Sequence, residues 1–118
     1  MSQKILIVDD DRVLVKMLEN FLQLQGFEVV TAYDGAEGLE KMKAERPHLI
    51  ILDVLMPKMN GYNFILEAKN IVDLKTVPVL VLTAKEGMND LFKVEGVREY
   101  LIKPFQPEWL LEKMKKYL

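Results

Sequence analysis

Two apolar runs of this chain end in acid: Ile5-Leu6-Ile7-Val8 leads into Asp9-Asp10-Asp11, and Leu49-Ile50-Ile51-Leu52 leads into Asp53. A third run, Val79-Leu80-Val81-Leu82, ends at Thr83, and a fourth, Tyr100-Leu101-Ile102, ends at Lys103. If the four ends meet, they bring carboxylates, a hydroxyl and an ammonium to one place. Crowded carboxylates repel one another unless a cation offsets them, and a hard, oxygen-seeking divalent ion does so. Mg2+ suits a shell made partly of protein and partly of water, with Mn2+ as a substitute. Such a site is equipped for in-line attack by Asp53 on phosphorus, giving an aspartyl phosphate. Lys103 and the ion would offset charge on the transferring oxygens, and Thr83 would hydrogen-bond one of them. An ionised carboxylate needs no base to activate it. The single histidine, His48, precedes the third run at the opposite end and reads as structural.

The elements that must position these residues are short apolar runs alternating with amphipathic stretches. Strands are predicted at 4–8, 28–32, 49–52, 77–82 and 99–102; the first, third and fourth are almost continuous Ile, Leu and Val, as in strands covered on both faces. Helices are predicted near 12–25, 36–45, 61–70, 88–95 and 107–117. In the first, Val13, Met17, Phe21 and Leu24 recur at helical spacing beside Leu14, Leu18 and Leu22; in the last, Leu110, Leu111, Met114 and Leu118 do so. All are read as core. Gly26 reads as a helix stop, Asp34-Gly35 as a turn with Asp34 capping the next helix, and Asp11 as the cap of the first. Five strand-helix units in this order imply an α/β fold, a doubly wound five-stranded parallel sheet with helices on both faces. That architecture puts chemistry at the carboxyl ends of its strands, near the point where strand order reverses.

Composition sets outer bounds. The 118 residues suffice for one hydrophobic core, so residues 1–118 are read as one domain. Sixteen basic against eighteen acidic residues leave a net charge of −2, which argues against direct nucleic acid binding. The absence of cysteine excludes disulfide scaffolds and thiolate metal sites. No apolar stretch approaches membrane-spanning length and none resembles a leader, so the expectation is a cytoplasmic chain without membrane insertion.

Five segments together resemble the receiver domain of bacterial two-component response regulators, in particular the single-domain chemotaxis-type regulators. They are Ile5 to Asp11, Ala32-Tyr33-Asp34-Gly35-Ala36-Glu37, Leu52 to Gly61, Val79 to Ala84, and Tyr100-Leu101-Ile102-Lys103-Pro104-Phe105. The resemblance implies a flavodoxin-like sheet of order 2-1-3-4-5. It implies that Asp53 accepts phosphate from a histidine kinase or histidine phosphotransfer protein. Asp10, Asp53 and the backbone carbonyl of Leu55 would hold Mg2+, with Asp9 acting mainly through a bound water. Lys103 would contact the phosphoryl group, Thr83 would move toward it, and Tyr100 would switch between outward and inward positions. Lys103-Pro104 resembles the family's cis peptide, and Gly61 its structural turn glycine. By the same resemblance the chain phosphorylates itself from a donor and loses the phosphate slowly, without conventional turnover.

The chain departs from that pattern in one region. The family usually has a slightly longer span than the nineteen residues between Thr83 and Lys103, and Gly87 and Gly96 bound a stretch barely long enough for two turns. The fourth helix is therefore expected to be short or irregular, with Leu91 or Phe92 open to an altered contact. Val97-Arg98-Glu99 replaces the small residue and acidic pair common in the family. Leu55 is expected to exclude attacking water and slow phosphate loss, with Lys85 counteracting it. Output would pass to a downstream protein or a second copy through the region 84–118, from either a complete single-domain regulator or part of a longer chain. Lys113, Lys115 and Lys116 read as complements to the carboxyl end of the last helix. Competing readings are a phosphorylation-independent interaction module, and a phosphohydrolase or flavin protein on a similar sheet. A flavin site would want a phosphate-cradling loop after the first strand, where this chain places three acids.

Overall fold

The computed structural model describes residues 2–54, 61–83 and 97–118. Its elements are β1 (Lys4–Val8), α1 (Arg12–Leu24), β2 (Glu28–Ala32), α2 (Gly35–Glu45), β3 (Leu49–Asp53), α3 (Gly61–Ala68), β4 (Val79–Thr83), β5 (Val97–Ile102) and α4 (Pro107–Met114). The strands form one parallel sheet in the order β2-β1-β3-β4-β5, as the resemblance implied. The helix predicted at 88–95 lies outside the described residues.

Strand pleating splits the core in two. Leu6, Val8, Ile50, Leu52, Val79 and Val81 face a cluster with Leu39 and Met42 of α2 and Phe64 and Ile65 of α3. Ile5, Ile7, Leu49, Ile51, Leu80 and Leu82 face the other side, against Val15, Leu18 and Leu22 of α1 and Leu110 and Met114 of α4. Successive side chains point to opposite faces, so the near-continuous aliphatic runs serve both layers. The α2 layer lies so close that a Cβ on Gly38 would stand 2.9 Å from the Phe64 ring and 3.0 Å from Val8.

Helix α1 corrects the predicted stripe. Val15, Leu18 and Leu22 are buried, and Leu14 and Phe21 half-buried, but Val13, Met17 and Leu24 stay 82%, 38% and 85% exposed. The helix carries apolar residues on two faces at helical spacing, and only one of them meets the sheet. Its ends follow the sequence signals. Asp11 Oδ1 accepts from the Val13 and Leu14 N–H groups, each at 3.1 Å. Beyond the helix, Gly26 takes φ 96° while its own N–H and that of Phe27 reach back to Gln23 and Leu22. Asp34 caps α2 by accepting from the Glu37 N–H at 2.8 Å.

Strand β4 begins at Val79 rather than 77: Pro78 lacks an N–H, and the Val77 N–H donates instead to the Asp73 carbonyl. β5 begins two residues earlier than expected, with Arg98 forming a bulge between the pairs Val79↔Val97 and Leu80↔Glu99. Helix α3 ends at Ala68 and α4 at Met114, each followed by turns where longer helices are predicted.

Candidate functional site

The parallel register brings four strand ends to one edge of the sheet. Val8 pairs with Leu52, Asp53 with Leu82, and Thr83 with Ile102, so Asp9, Asp53, Thr83 and Lys103 lie at the same level. Asp9, Asp53 and Thr83 are the buried polar residues among those described, at 0%, 4% and 3% exposure. Burying polar groups at the mouth of an aliphatic sheet is costly unless each has partners.

Lys103 is the partner that ties the strands together. Its Nζ donates to Asp9 Oδ2 at 2.8 Å and lies 3.7 Å from Asp53 Oδ1. Its backbone N–H donates to the Thr83 carbonyl at 2.7 Å, and the Lys103-Pro104 bond is cis. The other Asp9 oxygen, Oδ1, accepts from the Asp11 N–H at 2.9 Å. Asp9 is thus directly engaged by the ammonium, an arrangement the water-mediated role expected of it did not include.

Carboxylate oxygens of Asp9, Asp10 and Asp53 lie within 4.8 Å of one another, with Asp10 exposed and the other two buried. Among the described residues, three carboxylates stand against one lysine, an excess of negative charge. A donor set of oxygens alone, open to solvent on the Asp10 side, fits a hard divalent cation that keeps part of its water. Leu55, whose carbonyl was expected to join this set, lies outside the described residues, as do Lys85, Leu91 and Phe92. Gly61 begins α3, and Tyr100 on β5 points outward, 43% exposed.

His48 sits at the far end of the sheet, as expected. Its Nδ1 accepts from the Lys4 N–H at 2.9 Å and its own N–H donates to the Lys4 carbonyl at 2.8 Å, clasping β1 to β3.

Two arrangements were not legible in the residue pattern. Arg12 places its guanidinium 4.0 Å over the Tyr33 ring, where β1 and β2 end. Along the seam of β5 and α4, Glu99 receives the Tyr117 hydroxyl at 2.6 Å and Lys113 Nζ at 3.0 Å. The Tyr117 hydrogen bond, aided by Lys113 and opposed by burial, holds the Glu99 carboxyl below its ordinary value, while the same bond pushes the Tyr117 hydroxyl up. Lys113, read from sequence as a complement to the helix end, has this carboxylate as its partner.

A family model for the response regulator receiver domain matches residues 5–115. The chain belongs to this family. It is therefore a receiver domain of two-component systems. The receiver domain is 40% identical over 121 residues to the alkaline phosphatase synthesis transcriptional regulatory protein PhoP of Bacillus subtilis, covering 100% of this chain and 49% of that protein. The chain spans about half the length of the curated transcriptional regulators it matches. Among solved structures, the chemotaxis protein CheY4 of Vibrio cholerae aligns with a TM-score of 0.91 at 37% identity, covering 100% of each chain. Response regulator protein TrrA of Thermotoga maritima, solved in complex with Mg(2+)-BeF, aligns with a TM-score of 0.87 at 32% identity, covering 98% of this chain and 99% of that one. No helix among the described residues is long and apolar enough to cross a membrane.

Proposed function

We propose that Asp53 is the phosphoacceptor of this receiver domain. The observation that carries the proposal is the placement of a buried carboxylate within 3.7 Å of Lys103 Nζ, inside a cluster of three acids at the carboxyl edge of the sheet. An Asp53 oxygen forms the new O–P bond as the P–N bond of a phosphohistidine donor breaks. The imidazole nitrogen keeps the electron pair of that bond and takes up a proton. Because Asp53 enters as a carboxylate, no side chain has to remove a proton from it.

Lys103 already stands beside Asp53, where it would offset charge on the phosphoryl oxygens. Asp9 is its positioning residue, since the 2.8 Å contact holds the ammonium in the site. Thr83, at the end of β4, would donate its hydroxyl to a phosphoryl oxygen on arrival. Asp10 and Asp53, with the Leu55 carbonyl that the family resemblance adds, would hold Mg2+, or Mn2+ in its place. The ion supplies positive charge that offsets repulsion between carboxylate and phosphate. The donor is a histidine kinase or histidine phosphotransfer protein. The signal leaves through the region 84–118, to a downstream protein or a second copy, with outward Tyr100 as its switch.

The test is intact mass after exposure to a small phosphodonor, with and without Mg2+, alongside Asp53→Asn. A single phosphoryl added only with the metal and only to the wild type is expected. No mass gain would turn the reading to an interaction module that does not use phosphorylation. Timing phosphate loss in Leu55→Asn tests the water-excluding role of Leu55, with faster loss expected.

A further inference from the structure

At the opposite end of the sheet from Asp53, a cavity of about 490 Å³ opens between the carboxyl end of α2 and the segment joining α3 to β4. Its volume falls within the range of small-molecule sites. Half-buried Ile71, Val72 and Val77 give it an apolar wall, and Lys43 and Arg46 stand on its α2 side.

Among the described residues neither cation has an ion-pair partner, although acids lie nearby. Glu45 is taken by Lys4 at 3.1 Å. Asp73, also on the wall, accepts at Oδ1 from the Lys75 N–H at 3.0 Å.

Arg46 carries a second, independent signal. It ends α2 in the left-handed conformation, with φ 48° and ψ 66°, and is the only non-glycine with positive φ among the described residues. Pro47 disfavours a right-handed residue before it, but glycine or asparagine enters the left-handed region at less cost than arginine. A strained residue that also carries an unmatched charge into a cavity is a mark of a ligand site rather than of packing.

We infer that this cavity binds a small amphiphilic anion, its carboxylate or phosphate held by Arg46 and Lys43 and its apolar body laid against Ile71, Val72 and Val77. The guanidinium takes either head group in a two-pronged hydrogen bond. The site shares no residue with the phosphoryl-transfer cluster.

Backbone amide NMR titration tests this with phenylbutyrate and phenyl phosphate as the two anions. Phenylbutanol controls for the charge and acetate for the apolar body. Both anions should shift amides at 42–46 and 71–77 with a dissociation constant on the order of 1 mM, the scale set by ligand efficiency for about a dozen heavy atoms. The alcohol and acetate should bind about tenfold more weakly or not at all, as expected for the loss of one favourable contact. Arg46→Asn should weaken both anions about tenfold while leaving the melting midpoint equal or higher, since asparagine relieves the backbone. Lys43→Gln, at an exposed position, should also weaken them without changing stability.

Equal binding of alcohol and acid, no shifts at 71–77, or unchanged affinity in both variants would overturn the site. Asp53→Asn should bind the anions as the wild type does, so failure of phosphorylation at Asp53 and failure of this cavity are read separately.

Discussion

Two charged clusters of the receiver domain both set carboxylate against lysine, to opposite ends. At the carboxyl edge of the sheet, Asp9 and Asp53 share Lys103 with Asp10 beside them, and two of the three acids are buried. Along the β5–α4 seam, Glu99 accepts from both Lys113 and the Tyr117 hydroxyl. Among the described residues, the first cluster is short of positive charge and the second is matched. A matched cluster adds stability and binds nothing further, whereas an unmatched one raises the energy of the folded chain until something of opposite charge arrives. The difference separates a site from a clasp without reference to any motif.

Lys103→Met should break the contrast most severely. It removes the ammonium that pairs the fully buried Asp9 carboxylate and lies beside Asp53, and loss of about 3 kcal/mol is expected in urea unfolding. Phosphoryl uptake should fall by two orders of magnitude or more, on the scale of losing an electrostatic stabiliser. Loss of uptake without loss of stability would show that Lys103 does not hold Asp9.

Mg2+ should act on one cluster alone. At about a hundredfold over its dissociation constant it should stabilise the wild type by about 2.7 kcal/mol, read as a rise in the melting midpoint. Asp10→Asn should abolish that rise, and in metal-free buffer should itself stabilise the fold by about 1 kcal/mol through relief of repulsion. A destabilised Asp10→Asn would mean that the cluster is not frustrated.

Tyr117→Phe removes the 2.6 Å hydrogen bond to Glu99 and the 3.5 Å one to the Arg98 carbonyl, and should cost about 1 kcal/mol, with phosphoryl uptake unchanged. The smallest effect is in pH. Because Glu99 sits below its ordinary 4.5 in the fold, its contribution is present above that value and lost as pH falls through the lower, folded one. Tyr117 sits above its ordinary 10.0, so its contribution is present below that value and lost as pH rises through the folded one. The stability gap between wild type and Tyr117→Phe should therefore narrow at acid pH and again at alkaline pH, as measured by urea midpoints. A gap constant from neutral to acid pH would detach Glu99 from Tyr117.

Much of the fold, and the gathering of acids, hydroxyl and lysine at the candidate site, was legible because those signals are local. Near-continuous runs of four or five β-branched and aliphatic residues bounded by turn signals read as strands buried on both faces, and acids at two run ends need an edge where water or a cation reaches them. Asp11, Gly26 and Asp34 act on backbone groups only two to four residues away, so their roles did not depend on the rest of the molecule. In α1 the reading failed at Val13, Met17 and Leu24, because helical spacing records that a face is apolar and not whether anything covers it.

The sequence by itself determined the strands, the caps, and the identity of the acids, hydroxyl and lysine at the strand ends, since backbone propensity and side-chain period act within a few residues. Tertiary structure alone decided which charges meet. Lys103 reaches across 94 positions to Asp9, and Tyr117 across 18 to Glu99. Strand order and register, settled by packing of the two core layers, choose those partners, and electrostatic contact follows distance in space, not along the chain.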